Sequence, residues 1–448
     1  MTAPIPGPRG VPGLGVAPQL LRDPYRPFLR WAAHYGDAYR PRLPGVTLTI
    51  VNHPDLVRQV LGAGGDRYAK GRMNHRLEPV LGDGIPISEG EKWKRNRRLM
   101  NPMFGRKQLD SLTATVADAV WERVEGWDRW CGTGEVVDLD PPFGAITMNV
   151  LLKAMFGTSV GADDVDHMVA DFRHIGRYMA GLMLTVWAPD WMPVPWKRGG
   201  HEALGRVNEF IARLITDRRA EAGEHDDLLS LLLDARFEDG SPLSEADLRD
   251  ELMGLLFGGF ETTQSALGWT VALLDSNPDA ASSVFEELES LDGALPTTWD
   301  SVQSLRWTKA CFDEAQRLQG APLFSREAVV PDEIGGIPVP AGSLVAVSPF
   351  ALHRTPSLWK DPERYDPGRF LDAEVDRFAF IPFGAGPRHC IGSNLAYLEA
   401  VLTLAAMYSR YRVRMQTGFT PQHDFHLSTG MKGGCPVTIH ARRARIAS

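Results

Sequence analysis

The sequence predicts a mainly α protein with a small β-rich portion, built as a single large domain around one long central helix. Three observations carry this. Helical patterning dominates residues 54–317 and is broken only by short turns. Strand-like residues gather in two places, near the N-terminus and over residues 326–348. Between Ser244 and the Asn277-Pro278 stop lie about 30 residues, which at about 1.5 Å each reach about 45 Å, enough to cross a domain.

Residues 1–20 read as a proline-rich arm, since Pro4, Pro6, Gly7, Pro8, Gly10, Pro12 and Gly13 discourage regular structure, and residues 21–445 read as the domain. A helix-like segment ends near Gly36. Residues 37–42 and 47–51 then alternate like short strands around a Pro44-Gly45 turn. Turns are expected at residues 82–84, 132–134, 191–200 and 238–242. Ser244, with Asp247 three residues on, opens the central helix as a capping pair. Residues 326–348 return to strands, and residues 361–387 read as extended loop. No repeat or linker divides the chain.

Composition narrows the function. Of 448 residues, 44% are apolar and 23% charged, which suits a soluble protein with a large core. The formal net charge of −8 disfavours a nucleic-acid binder. Cys131, Cys311, Cys390 and Cys435 are widely spaced and form no C-x-x-C pair, which disfavours zinc ribbons and disulfide scaffolds. No signal-peptide pattern opens the chain and the apolar stretch at residues 179–188 is too short for a bilayer, so a cytoplasmic protein without a membrane anchor is expected.

One cysteine stands apart. Residues 383–392 fit F-x-x-G-x-R-x-C-x-G, with Phe383, Gly386, Arg388, Cys390 and Gly392 in the defined places. A thiolate at a glycine-rich turn before a helix is stabilised by backbone N–H groups and the helix dipole, and can ligate iron. Two plainer readings compete: an inert buried thiol, and half of a dinucleotide loop. The second fails, because the third glycine of G-x-G-x-x-G would fall on His389.

The stretch closely resembles the haem-binding loop of the cytochromes P-450. Three further motifs follow the family's order. Gly258-Gly259-Phe260-Glu261-Thr262-Thr263 resembles the oxygen-activation motif [AG]-G-x-[DE]-T-[TS]; taken alone it would read as a helix-packing notch of small residues. Glu314 and Arg317 form E-x-x-R, one face of a helix. Trp93 and Arg97 form W-x-x-x-R. The segment 361–370 resembles the P-E-R-F region, though Gly368 stands where the family often has glutamate, and Gly320-Ala321 loosens the usual proline spacing.

The resemblance implies a haem-thiolate monooxygenase of soluble bacterial type that inserts one oxygen atom from O2 into an apolar small molecule, as in secondary metabolism. Cys390 would be the axial ligand of haem b, donating electron density that favours O–O cleavage. Trp93, Arg97, Arg326 and Arg388 would bind the haem carboxylates, Phe383 and Gly258 would also belong to the haem-binding set, and Gly258 would leave room for substrate and O2 against the haem face. Glu261 and Thr262 would be the catalytic pair that relays protons. Glu314, Arg317 and Arg369 would form a structural triad behind the loop. Electrons would come from a separate ferredoxin or flavodoxin with its reductase, since the pattern leaves no room for a fused redox domain, and a monomer is expected. Of the basic run Lys92, Lys94, Arg95, Arg97 and Arg98, Arg97 should face inward and the rest outward, where they could steer an acidic partner.

Substrate contacts should come from residues 72–80, 255–262, 322–325 and 427–431. Leu182, Met183, Leu184, Val186, Trp187, Trp191 and Trp196 are candidates for a lid, against the plainer reading of ordinary core. His423 and His426 are three apart but lack companions for a metal site. Two other functions stay open: oxidative C–C, C–N or C–O coupling or ring closure without net oxygen insertion, and a thiolate-haem sensor or silent scaffold.

Overall fold

The computed structural model describes residues 5–442 except 64, 158–160, 186–192, 222–226, 292–293, 322, 372–373 and 425–428. Its axis is the helix Glu245–Ser276, the central helix. Ser244 starts it: its hydroxyl accepts the Asp247 amide at 3.0 Å and donates to the Asp247 carboxylate at 2.7 Å. Asn277 ends it, and Pro278 occupies the first position of the next helix, where its missing N–H costs nothing.

The helices Asp140–Phe156 and Ala162–Leu184 lie against this beam. The adjacent glycines in its middle do different work. A Cβ on Gly259 would stand 2.7 Å from Leu151 Cδ2, so this glycine is the close-packing notch. A Cβ on Gly258 would meet nothing within 4 Å. Gly259 thus fits the packing reading of this motif, while the space at Gly258 is free of packing contacts.

The strands are β1 (Ala38–Tyr39), β2 (Arg42–Leu43), β3 (Val46–Val51), β4 (Tyr68–Ala69), β5 (Val137–Asp138), β6 (Phe324–Ala328), β7 (Asp332–Ile334), β8 (Ile337–Val339), β9 (Leu344–Val347), β10 (Tyr411–Met415) and β11 (Pro436–Ala441). The main sheet runs β1-β3-β9-β6-β4, with β2 on β3; β3 and β9 are parallel and the other pairs antiparallel. The expected turn at Pro44-Gly45 joins β2 to β3, and Gly335-Gly336, both with positive φ, close the β7-β8 hairpin. The arm lies along this sheet: Arg40 donates its amide to the Pro6 carbonyl at 2.8 Å and Arg42 to that of Pro8 at 3.0 Å. β5, β10 and β11 form a second sheet.

Apolar side chains of the helices make one large core, and two smaller clusters flank the main sheet. Among the described residues no helix is long and apolar enough to cross a membrane.

Candidate active site

The loop carrying Cys390 is shaped by its glycines and by one hydrogen bond. Gly384 and Gly386 have φ of 72° and 71°, a region that penalises any Cβ. A Cβ on Gly386 would also collide with the Leu61 carbonyl, so the defined glycine of the motif is where the loop presses on the helix Pro54–Leu61. The Cys390 amide donates to the Phe383 carbonyl at 3.0 Å and closes the loop. The amides of Gly392 and Ser393, at the start of the helix Ser393–Arg410, point back at the sulfur.

The four cysteines separate by environment. Cys311 and Cys435 are buried, and burial pushes the Cys311 thiol up to about 12 and the Cys435 thiol higher still, with Asp138 and Asp140 adding to the latter. Cys435 Sγ rests 3.9 Å from the Gly268 carbonyl. Cys390 is exposed, yet burial raises its thiol too. The residue is thus open to solvent while the protein packed around it opposes charge on the sulfur. The Gly392 amide, Arg97, Lys70 and the Ser393 amide oppose that rise.

Near Cys390 stands a cluster of cations. Arg388 donates to the Ser88 carbonyl at 2.7 Å and lies 3.9 Å from the Trp93 ring centroid. Arg326 is 8% exposed and donates to the Ser325 carbonyl at 2.8 Å. Burial lowers both guanidinium groups to about 10. Arg97 is half-buried and likewise lowered by burial, with Cys390 pulling the other way. Lys70 joins them, and burial followed by the charges of Arg326 and Arg388 holds its ammonium down to about 7. The carboxylate acting on Lys70, Arg326 and Arg388 is Glu89, itself accepting from the Gly71 amide at 3.1 Å and meeting His75 Nε2 at 3.0 Å. Trp93 Nε1 is buried without a hydrogen-bond partner. Four cations and a free indole N–H facing one carboxylate fit a group with two more, which haem b carries.

Sequence reasoning missed Lys70. No local pattern marks it, because it follows β4 and reaches the site only through the pairing of β4 with β6, the strand that holds Arg326.

On the central helix, Gly258 and Thr262 are exposed one turn apart, and Thr262 Oγ1 donates to the Gly258 carbonyl at 2.6 Å. Glu261 is half-buried, with Oε2 3.0 Å from where a Gly176 Cβ would stand. Behind the Cys390 loop, Arg317 and Glu314 are both 0% exposed and meet through two bonds of 2.7 and 2.9 Å. Arg369 Nε reaches Glu314 at 3.2 Å, and Arg317 also donates to the carbonyls of His353, Pro362 and Arg364. The triad is assembled as expected, despite Gly368.

The basic run on the helix Gly90–Met100 departs from expectation in one respect. Lys92 does not stand free on the outer face: it bridges Asp83 at 3.0 Å and Asp247 at 2.8 Å, tying the helix to the start of the central one. Lys94 pairs with Glu91 at 2.8 Å, Arg98 with Glu238, and Arg95 lies 3.9 Å over the Phe237 ring. Each outward charge is thus partly answered within the chain.

Of the proposed substrate contacts, Arg72 is turned to Glu327 at 3.1 Å and Arg76 donates to the Thr185 carbonyl at 3.1 Å. Trp269 Nε1 donates to the Thr429 carbonyl at 2.5 Å and fixes that turn. Pro322, Val186, Trp187, Trp191, His426, Leu427 and the side chain of Leu184 lie outside the described residues. Trp196 is exposed with φ 58°, and Leu182 is buried. His423 stacks 4.0 Å from Tyr25 and 4.7 Å from Trp269, an aromatic packing role, and no cluster of three metal ligands occurs among the described residues.

Comparison with known proteins agrees with this geometry. The family model for cytochrome P-450 matches residues 5–433. A cyclooctat-9-en-7-ol 5-monooxygenase of Streptomyces melanosporofaciens is 33% identical over 92% of this chain and 90% of its own length. A cyclooctatin synthase of the same organism is 32% identical over 94% and 93%. A pentalenene oxygenase of Streptomyces avermitilis is 29% identical over 91% of both chains. The chain belongs to the cytochrome P-450 family, and is a monooxygenase of that family with haem b bound through an axial cysteine thiolate.

Proposed function

We propose that the chain inserts one oxygen atom from O2 into an unsaturated, largely hydrocarbon small molecule, with Cys390 as the haem ligand and electrons from a separate ferredoxin or flavodoxin and its reductase. The observation that carries the ligand assignment is that Cys390 is exposed and has Arg97, Lys70 and the Gly392 and Ser393 amides acting on its sulfur. Of the two other cysteines whose thiols burial also raises, neither is accessible, and neither has a cation among the charges acting on it. The substrate class follows the printed names of the Streptomyces relatives, each read over at least 91% of this chain.

Haem b supplies the oxygen-activating chemistry when bound. The residues of the chain divide the remaining work. The Gly392 and Ser393 amides stabilise negative charge on Cys390. Trp93, Arg97, Arg326 and Arg388, with Lys70, hold the haem carboxylates and neutralise them. Gly258 leaves open space for substrate. Thr262 Oγ1, able to turn from the Gly258 carbonyl, holds and passes a proton, and Glu261 links it to solvent. Glu314, Arg317 and Arg369 brace the loop that carries the ligand. The exposed charges of Lys94, Arg95 and Arg98 support an acidic partner, with attraction reduced by the acids beside them.

The test is the absorption of the reduced carbon monoxide complex. Unaltered protein should show the thiolate-type band, and Cys390→Ser should lose it while Cys435→Ser keeps it. The reverse pattern would sink the ligand assignment. Product mass then checks the reaction: a gain of one oxygen supports insertion, and a loss of two hydrogens without oxygen points to coupling.

A further inference from the structure

The helix Arg306–Leu318 presents two sets of polar side chains. Glu314 and Arg317 serve the triad behind the Cys390 loop. Lys309 and Asp313, one turn apart, reach Tyr397 on the helix Ser393–Arg410. The Tyr397 hydroxyl donates to Asp313 Oδ1 at 2.5 Å, and Lys309 Nζ donates to Asp313 Oδ2 at 2.6 Å. The same ammonium lies 4.5 Å from the Tyr397 ring centroid. Asp313 is 3% exposed at its side chain, so these bonds form where water competes little.

Tyr397 is thereby held at both ends. Its oxygen is fixed by Asp313, one ring face is covered by a cation, and Phe312 meets it edge-on at 5.8 Å. The rest of the ring lies against Phe383, 5.2 Å between centroids at 56°. Phe383 is the residue whose carbonyl receives the Cys390 amide, and its ring is also 6.4 Å from that of His389. A continuous set of contacts runs from a half-exposed lysine, through a buried carboxylate and two rings, to the backbone of the cysteine. The apolar surroundings of a metal-bound sulfur, and the N–H groups that reach it, set how readily the metal is reduced.

We propose that Tyr397, locked by Asp313 and Lys309, is a positioning residue for Phe383, and that this lock sets the reduction potential of the haem. The proposal rests on Cys390 being the iron ligand. Loss of the Tyr397 hydroxyl frees the ring to turn, lets Phe383 follow, and loosens the closing bond at Cys390. Loss of the ammonium leaves Asp313 with one partner and uncovers the ring, so the effect of Lys309→Met should have the same sign and be smaller.

The experiment compares haem-loaded wild-type protein with Tyr397→Phe, Asp313→Asn, their double variant and Lys309→Met. The readouts are the midpoint potential and the reduced carbon monoxide spectrum. Tyr397→Phe keeps ring volume, so it should retain the haem and the thiolate-type band. Its equilibrium constant for one-electron reduction should shift about threefold to tenfold, the larger figure being ~59 mV. The double variant should shift no further than the larger single one, because both remove the same bond. Potentials of Tyr397→Phe and Asp313→Asn equal to wild type, even with lowered thermal stability, would overturn the proposal and leave a purely structural contact. Absence of the thiolate-type band in wild type would instead overturn the ligand assignment and this proposal with it.

Discussion

Thr262 donates its hydroxyl proton to the carbonyl of Gly258, one turn back on the same helix, at 2.6 Å. The bond joins two exposed residues of a helix that is otherwise mostly buried. Once turned from that carbonyl, a hydroxyl so placed can donate to a group on its open side and accept a hydrogen bond in return. Thr262→Ser should keep most of the coupling between electrons consumed and product formed. Thr262→Ala should lower it about tenfold or more, the remainder leaving as hydrogen peroxide or water. Product and peroxide measured per reducing equivalent check this, and equal coupling in the alanine variant would remove Thr262 from the proton path.

Arg388 offers a different test, because its charge and its shape can be separated. Its guanidinium both donates to Ser88 and stacks on Trp93 at 3.9 Å. Lysine keeps the charge but neither the planar stack nor the fork of donors. Arg388→Lys should therefore release haem to an acceptor globin about tenfold faster than wild type, a loss of about 1.4 kcal/mol and so only part of what a cation–π contact and a charged hydrogen bond contribute together, since lysine can still donate. An unchanged release rate would show that charge alone matters at this position.

Much of the site was legible because its residues act close to where they stand in sequence. The turn at Gly384 and Gly386, the i,i+3 spacing of Glu314 and Arg317, and the Ser244 cap are local devices with local signatures. Gly258 and Gly259 were legible as a pair but not singly, since only the neighbouring helix decides which one faces Leu151. Lys70 and Tyr397 were not legible at all. The first depends on β4 reaching β6, the second on two helices distant in sequence placing Asp313 beside Tyr397. The bridging of Lys92 by Asp83 and Asp247 was hidden for the same reason: a basic run reads as a solvated face until its acids are placed.

Glu251 on the central helix predicts a pH dependence of stability. Its carboxylate accepts from the Ile85 amide at 3.0 Å and from Asn96 Nδ2 at 2.8 Å. Burial nevertheless pushes it up from 4.5 to about 7, against those two donors and Lys92, with Asp247 adding to the rise. Between those two values the folded chain keeps a proton that the unfolded chain has lost. The contribution is full below 4.5, falls as pH rises by up to about 1.4 kcal/mol per unit, and is gone above about 7. Glu251→Gln should lack this slope, and Asn96 Oδ1, buried without a partner, can accept from the new amide. Denaturation midpoints should therefore favour the glutamine variant more at about pH 8 than at about pH 5. A constant difference across that range would exclude Glu251 as the titrating group.

The triad behind the Cys390 loop predicts an order of damage. Glu314 is the shared partner: it meets Arg317 through both oxygens, Arg369 through one, and the Asp366 amide at 2.8 Å. Glu314→Gln leaves the fully buried Arg317 with carbonyl acceptors but no counter-charge, a change that costs about 3–5 kcal/mol when one member of a buried pair is lost. Arg369→Ala is milder, because Arg317 still neutralises Glu314; the loss is a charged hydrogen bond of about 1.5–3 kcal/mol and the donors to the Lys360 and Asp361 carbonyls. Denaturation midpoints should rank wild type above Arg369→Ala above Glu314→Gln, and haem content of the purified proteins should follow the same order. Since Arg369 belongs to the segment leading into the Cys390 loop, its variant should lose haem more steeply than its stability alone requires. If Arg369→Ala holds haem as wild type does, the triad steadies the fold without positioning the ligand.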